Sequence, residues 1–530
     1  MYGITFDPES RLSQYRQLVD QLRARITEGS LPGGTRLAST RELSEGLQVA
    51  RGIVLEAVEQ LKMEGYLRTE RGSGTFVRRD LVWKGSSAPS SLAPSVGLSR
   101  SEESPGRSAL GAGSHASATA PDPARGVASA TGSGASRDGE PPLSFAPGMP
   151  DLGLFPRRQW SKCYQDAVEY ASLDDLSYNR PSGRWDLRQS IARHLVETKG
   201  IRVGPERVVV TAGSSQAFAM LAQLFDRPRV AMEDPQAPFV RRVFQGLGGE
   251  MAYVPVDDEG IVPALIPDGP FDLIYVTPAH QFPVGGTLSA ERRVALLERA
   301  RGAGAWIIED DFDGEFRYEG HPVSPLQAMA GERVAYVGTF SKNVSPALRI
   351  GYVVLPPGLQ ARFKTLKRRW DLWNEGLQQK AMARFIDEGH LERHLRRCFR
   401  AYREKNGILK RLVAERLAPE WEAIGGTTGM HLVLRRTPGG GTQEPSSARV
   451  AAHVSGDEAR ARVPVADTDV TPVAAALLER GYLVERVAEY CSESAGYRDS
   501  LIVAFGNRTA SELERLIDEI AKVTRQPNER

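Results

Sequence analysis

Residues 309–318 read Glu309-Asp310-Asp311-Phe312-Asp313-Gly314-Glu315-Phe316-Arg317-Tyr318, and residues 339–352 read TFSKNVSPALRIGY. Each stretch follows a short apolar run, Ile307-Ile308 before the first and Val334-Ala335-Tyr336-Val337 before the second. Similar runs stand at Val208-Val209-Val210, Val230-Ala231-Met232 and Leu273-Ile274-Tyr275-Val276, separated by helical or loop sequence. This pattern predicts an α/β domain built on a mostly parallel sheet. Open sheets of that kind bind ligands beyond their strand ends, where the polar motifs of this chain fall. Thr211-Ala212-Gly213-Ser214-Ser215-Gln216 follows one run, and Thr277-Pro278-Ala279-His280-Gln281-Phe282-Pro283 follows another.

Together these groups meet the demands of pyridoxal 5'-phosphate, which needs an aldehyde partner, a pyridinium partner and a phosphate site. Lys342 is the candidate Schiff-base lysine, because an amine freed of its proton by desolvation attacks an aldehyde. A carboxylate at a strand end suits the protonated ring nitrogen. Asp310 and Asp311 are adjacent and a strand points them to opposite sides; motif position selects Asp310 and leaves Asp311 to solvent or a helix cap. Gly213 followed by hydroxyls at a helix start offers N–H groups and a positive dipole end to a phosphate. Ser214, Ser215, Gln216, Thr339, Ser341 and Arg349 are the phosphate candidates. His280 is read either as a cofactor ligand or as a packed loop histidine.

Upstream, residues 85–141 are rich in Ala, Ser, Gly and Pro and contain no Phe, Trp or Tyr. Such a segment buries too little apolar surface to offset its ordering entropy, so it reads as a flexible, disordered linker. A second low-complexity patch begins at Thr437 and reads as a surface insertion over about 437–462. The chain therefore divides into a head (1–84), a linker (85–141) and a body (142–530).

In the head, Tyr15, Leu18, Val19, Leu22 and Ile26 have helical spacing. Ser39 with Glu42 is a capping-box pattern that opens a second helix through Leu43 and Leu47. A turn over Gly46–Val49 leads to a third helix whose stripe is Val54, Ala57, Val58 and Leu61, ended by Gly65. Tyr66–Thr69 and Thr75–Val77 flank a Gly-rich turn, which predicts two strands. Three helices and a hairpin make a winged helix-turn-helix, an architecture that places its third helix in the major groove.

The whole chain carries 68 Lys+Arg against 66 Asp+Glu, a net charge of +2, which excludes a histone-like binder but not a local basic face. Residues 1–79 hold 12 Lys+Arg and 10 Asp+Glu, again +2, so charge alone does not call for DNA. Its 3 cysteines, Cys163, Cys398 and Cys491, are too far apart for a disulfide framework or a zinc spacing, and no metal site is expected. The N-terminus has no signal pattern and no apolar run reaches the roughly 18 residues of a membrane span. A cytoplasmic protein without membrane partners is expected.

The segment GSLPGGTRLASTRELSEGLQVARGIVLEAVEQLKMEGYLRTERGSGTFV resembles the GntR-type DNA-binding domain. The EDDFDGEFRY and TFSKNVSPALRIGY stretches resemble the MocR/GabR family, in which a GntR head is fused to a fold-type I aminotransferase-like body with large and small subdomains. That resemblance implies an α+β winged helix-turn-helix joined by a linker to an α/β body. It also implies a homodimer, and a regulator that binds double-stranded operator DNA and senses pyridoxal phosphate or an amine through Lys342. By carry-over, Ser39, Arg41, Arg51, Arg71 and Gly72 are the DNA candidates. Tyr178 matches the position from which a tyrosine reaches the neighbouring subunit's cofactor phosphate.

Several positions depart from the family. Ala38 replaces a usual Pro and Ala50 a usual Ser beside Arg51. Phe312 replaces the tyrosine that bonds the cofactor's phenolic oxygen, and Ala237 a cofactor-face aromatic. Phe239 stands where the GABA-responsive member carries an arginine, and Ile502 where aminotransferases have another. A buried carboxylate without a cation costs several kcal/mol, so an ordinary amino-acid effector is disfavoured. These departures favour a regulator with at most weak transaminase activity. The alternatives are a working aminotransferase with a DNA-binding appendage, and a DNA-binding protein whose body has lost its cofactor.

Overall fold

Apolar stripes in the first 78 residues fold into three helices and a hairpin: α1 (Gln14–Thr27), α2 (Thr40–Leu47), α3 (Arg51–Met63), β1 (Leu67–Glu70) and β2 (Gly74–Val77). The computed structural model describes residues 1–10, 12–70, 73–78, 141–178, 180–319, 323–372, 374–437, 468–492 and 497–525. Arg71 and Gly72, the linker apart from Pro141, and the insertion beyond Thr437 lie outside them. Leu18, Val19, Leu22 and Ile26 of α1 pack on Val54, Ala57, Val58 and Leu61 of α3, while Tyr15 is only partly covered. Both halves of the capping box at Ser39 and Glu42 form. One boundary differs from the expectation. Gly46 stays helical, and the turn begins at Gln48, which takes the left-handed conformation at φ 56°. The remaining hydrogen bonds of the helix evidently outweigh the cost of a glycine inside it, about 1 kcal/mol.

The body runs β3 (Leu143–Ser144), α4 (Arg157–Glu169), α5 (Trp185–Lys199), β4 (Val208–Thr211), α6 (Ser214–Ala222), β5 (Arg229–Asp234), α7 (Pro238–Gly246), β6 (Glu250–Asp257), β7 (Gly260–Ile261), β8 (Leu273–Val276), α8 (Ala290–Ala303), β9 (Trp306–Asp311), α9 (Leu326–Met329), β10 (Val334–Thr339), β11 (Gly351–Val354), α10 (Pro357–Asp371), α11 (Gly376–Asp387) and the long α12 (His390–Arg416). Its central sheet has the order β4-β11-β10-β9-β8-β5-β6-β7. The five expected strands β4, β5, β8, β9 and β10 are all present, and pairs from β6 through β10 are parallel. β11 lies antiparallel between β4 and β10. Gly351 is in register with Thr339 on one side and Thr211 on the other, which brings two motif loops together at one edge.

The C-terminal subdomain adds β12 (Trp421–Ile424), β13 (His431–Arg436), α13 (Thr471–Glu479), β14 (Tyr482–Leu483), β15 (Glu485–Arg486), β16 (Ser500–Ala504) and α14 (Ala510–Arg525). Its sheet order is β12-β13-β16-β15, all antiparallel. β3 pairs in parallel with β14, so the segment that opens the body is anchored on this subdomain. Among the described residues, no helix is long and apolar enough to cross a membrane.

Candidate functional site

Beyond the β4 end, Gly213 takes φ +83° and caps α6 with no side-chain cap, which leaves the N–H groups of the first turn to an outside acceptor. A Cβ on Gly213 would stand 3.0 Å from Arg349 Nη2, so the guanidinium lies directly over this glycine. Arg349 is itself left-handed (φ 47°) and donates to Ala212 O at 2.6 Å. Across the sheet, a Cβ on Gly351 would meet the Gly213 backbone at 2.8 Å, so only glycine permits this approach. Ser214 is half-buried and Ser215 exposed, both in the first turn. Gln216 accepts from Ala212 N–H at 2.9 Å and donates to Asp371 at 3.2 Å, so it braces the cradle from behind. Thr339 and Ser341 are buried, and Thr339 Oγ1 accepts from Ser341 N–H at 3.1 Å.

Lys342 follows on the same loop, and its Nζ donates to the Gly148 carbonyl. Burial lowers its pKa below the usual lysine range, against the opposing pull of Asp313 and Asp310. Asp310, at the end of β9, accepts from the Tyr275 hydroxyl at 2.7 Å through Oδ2. Its Oδ1 is buried with no hydrogen-bond partner among the described residues. Burial pushes this carboxyl up to about 7, although the Tyr275 hydrogen bond works the other way. Asp311 is neither solvated nor a helix cap, contrary to the expectation. Its side chain is buried, pairs with Lys199 at 2.8 Å and accepts from Tyr336 at 2.6 Å. Its cation comes from the end of α5, far away in sequence.

The motif loop after β8 holds His280 in the interior. Its Nδ1 meets Asp313 Oδ1 at 2.8 Å, its ring stacks on Phe312 at 5.6 Å, and its Nε2 has no partner among the described residues. Phe282 packs edge-on against Phe312, His431 and Tyr490. Ile502 joins an apolar cluster with Val256, Val284, Val433, Val487 and Tyr490. Phe239 packs beside Phe218 at 6.3 Å, and Ala237 caps α7. Tyr178 lies on a loop, 77 % exposed.

On the head, Ser39 spends its hydroxyl on Glu42 N–H, and Arg41 pairs with Glu45 at 3.1 Å in the open. Arg51 is exposed at the first residue of α3, and Ala50 supplies no cap. Three groups that the sequence reading does not single out belong to the body site: Tyr275, Asp313 and Gly148. Only Asp313, inside the motif, carried a signal; Tyr275 reads as strand core, and Gly148 reaches Lys342 only through the fold.

Residues 157–520 match the family model for aminotransferase class I and II, and residues 14–77 that for bacterial regulatory proteins of the gntR family. The chain is 33 % identical over 433 residues to the HTH-type pyridoxine biosynthesis transcriptional regulator PdxR of Corynebacterium glutamicum, covering 81 % of this chain and 85 % of that one. It belongs to the MocR/GabR-type regulators. The probable rhizopine catabolism regulatory protein MocR of Rhizobium meliloti is 34 % identical, over 82 % of this chain and 84 % of its own. The body has the fold of a kynurenine aminotransferase from Pyrococcus horikoshii solved with PMP, with a TM-score of 0.63 at 22 % identity over 73 % and 91 % of the two chains.

As a MocR/GabR-type chain, the protein is a transcription regulator with a GntR DNA-binding head and an aminotransferase-like body of a pyridoxal-phosphate-binding family. Its residues fit that cofactor. The unpartnered Asp310 oxygen suits a protonated ring nitrogen, the Gly213 cradle under Arg349 suits a phosphate, and Lys342 is desolvated.

Proposed function

We propose that this chain binds pyridoxal 5'-phosphate between Lys342, Asp310 and the Gly213 cradle, and that the state of this site controls how the head engages double-stranded operator DNA. The observation that carries the reading is the buried, unpartnered Oδ1 of Asp310. A desolvated carboxylate oxygen is costly unless a ligand completes it. When bound, pyridoxal phosphate supplies an electron-poor ring and an aldehyde. Asp310 holds the ring nitrogen proton, with Tyr275 fixing the carboxylate. Ser214 and Ser215 at the α6 start, with Thr339, Ser341 and Arg349, hold the phosphate, and Gln216 keeps the cradle in shape. Lys342 presents a neutral amine. His280 stands behind Phe312 with Asp313 setting its ring.

The effector is pyridoxal phosphate itself or an amine rather than a carboxylate-bearing amino acid. Ile502 and its apolar neighbours offer no cation for a carboxylate, and Phe239 offers none from the other side. The names of the relatives, pyridoxine biosynthesis and rhizopine catabolism, fit control of vitamin B6 or amine metabolism. The protein acts in the cytoplasm as a homodimer. Tyr178, exposed on its loop, reaches the second subunit's site, and residues 85–141 tether the 1–84 head to the 142–530 body. Ser39, Arg41, Arg51, Arg71 and Gly72 form the DNA face, with Arg51 at the open start of α3 as its centre.

Titrating the purified protein with pyridoxal phosphate tests this reading. Lysine-linked visible absorbance in the wild type and its loss in Lys342→Ala support it; equal spectra overturn it. A GABA- or glutamate-induced spectral shift at sub-millimolar concentration would count against the effector class.

A further inference from the structure

Three side chains that the proposed function does not use converge where α4 meets the joint of α11 with α12. Cys163 Sγ, a Glu388 carboxylate oxygen and a His390 ring nitrogen lie within 4.8 Å of one another. Cysteine spacing does not announce this set, because its members meet only through the packing of α4 on α11. Cys163 has no exposed surface and sits in the apolar cluster that also contains Phe385. Glu388 closes α11, Gly389 takes the left-handed conformation at φ 70°, and His390 opens α12. That turn sets carboxylate and imidazole side by side, with Glu388 Oε2 and His390 Nε2 3.2 Å apart. The Phe385 ring packs beside the imidazole at 5.7 Å.

The surroundings orient these donors. Glu388 Oε1 accepts from Arg384 Nη2 at 2.9 Å and from its Nε at 3.2 Å, which leaves Oε2 to face His390. Arg384 is itself paired with Asp166 at 2.8 Å, so its charge is shared between two carboxylates. On the other side of the ring, Arg393 Nη2 donates to His390 Nδ1 at 2.8 Å. Lys162 is the remaining cation near the thiol.

A thiolate, an imidazole and a carboxylate brought together from separate helices are the donor set of zinc and metals of its class, whereas magnesium and calcium take oxygen ligands. We propose that Cys163, Glu388 and His390 form a site for a divalent metal of the zinc class, bound through Sγ, Oε2 and Nε2, with a fourth position open to water or an outside ligand. The thiol gives its proton to solvent on binding. His390 then keeps its ring proton on Nδ1, so the exposed Arg393 lets go of that nitrogen. Arg384 stays on Oε1 and holds the carboxylate in place, as an outer-shell partner does. The metal fastens α4 to the start of α12. Leu391 of that helix packs with Cys163, while its Leu409, Leu412 and Val413 pack with Trp421 and Leu432 of the C-terminal subdomain. The site therefore pins the element by which the large subdomain passes into the small one, and gives the regulator a metal input with no residue in common with the Lys342 site.

The experiment titrates chelator-treated full-length protein with Co2+ and Zn2+, at equal cofactor content in every sample. In the wild type, Co2+ is expected to give a thiolate-to-metal charge-transfer band that Zn2+ displaces and Mg2+ does not. Cys163→Ser is expected to lose the band. His390→Gln is expected to weaken zinc binding by more than the roughly 100-fold that an outer-shell partner is worth. A wild type without the band, a band that survives in Cys163→Ser, or displacement by an equal concentration of Mg2+ overturns the proposal. Because replacing a buried thiol disturbs packing, thermal unfolding of the wild type and His390→Gln supplies a reading free of that variant. Zn2+ is expected to raise the Tm of the wild-type body and to leave that of His390→Gln where it was; equal shifts in the two overturn the site.

Discussion

At the scale of single residues, Asp310 decides most. Its carboxyl, held up at about 7 by burial, is ionised only above that pH. A protonated ring nitrogen needs the ionised form, so pyridoxal phosphate affinity is expected to rise as pH rises through about 7. Lys342, lowered by burial, adds to the same trend. Asp310→Asn should lose most of the affinity and flatten its pH dependence, as equilibrium titrations at several pH values would report. Tyr275→Phe removes the hydrogen bond that favours the ionised form, so the midpoint should move upward. Without cofactor, the raised Asp310 pKa makes its contribution to folding stability fall as pH rises through about 7. Lys342, Asp310 and Arg349 were legible because the motif spacing states a chemical demand. Tyr275 and Gly148 were not, because a tyrosine in a buried run and a glycine in a loop acquire their roles from partners brought in by the sheet. The same holds for Asp311, whose distant Lys199 no local pattern announces.

At the scale of elements, α3 carries the proposed centre of the DNA face. Arg51→Ala is expected to abolish specific operator binding while leaving the cofactor spectrum intact, which parallel gel-shift and absorbance measurements would establish. Ala50→Ser should add the missing cap and raise head stability by about 1 kcal/mol in thermal unfolding. In the body, Gly351→Ala pushes a Cβ into the Gly213 backbone, a clash set by the β4-β11-β10 register. Loss of phosphate affinity is the expected result, seen as a much weaker Kd for pyridoxal phosphate than for pyridoxal relative to wild type. The helices of the head could be read from sequence because a helix's periodicity is local. The apolar runs mark five of the strands, but neither β6 nor β11, which begins inside a motif. Strand order could not be read either, since crossovers set it through contacts far apart in the chain.

At the scale of the molecule, the head is internally held by a buried pair. Arg23 binds Glu64 through two N–H donors at 2.8 and 3.0 Å, and both side chains are buried. Glu64→Ala leaves the buried guanidinium with Asp20 alone, at 2.8 Å, and should cost about 3 kcal/mol, the low end for breaking a buried pair. Calorimetry is expected to place the head transition at a lower temperature with the body transition little changed. One further relation spans the whole chain. The peptide that enters the body at residue 141 runs as β3 along β14, bonds Ala504 through Phe145 O at 2.9 Å, and within a few residues gives its Gly148 carbonyl to Lys342. Its upstream end leads to the DNA-reading head. Whatever claims the amine of Lys342 therefore takes away one fastening of this entering strand, and leaves β14 and Ala504 to hold the place at which the chain from the winged helix joins the body.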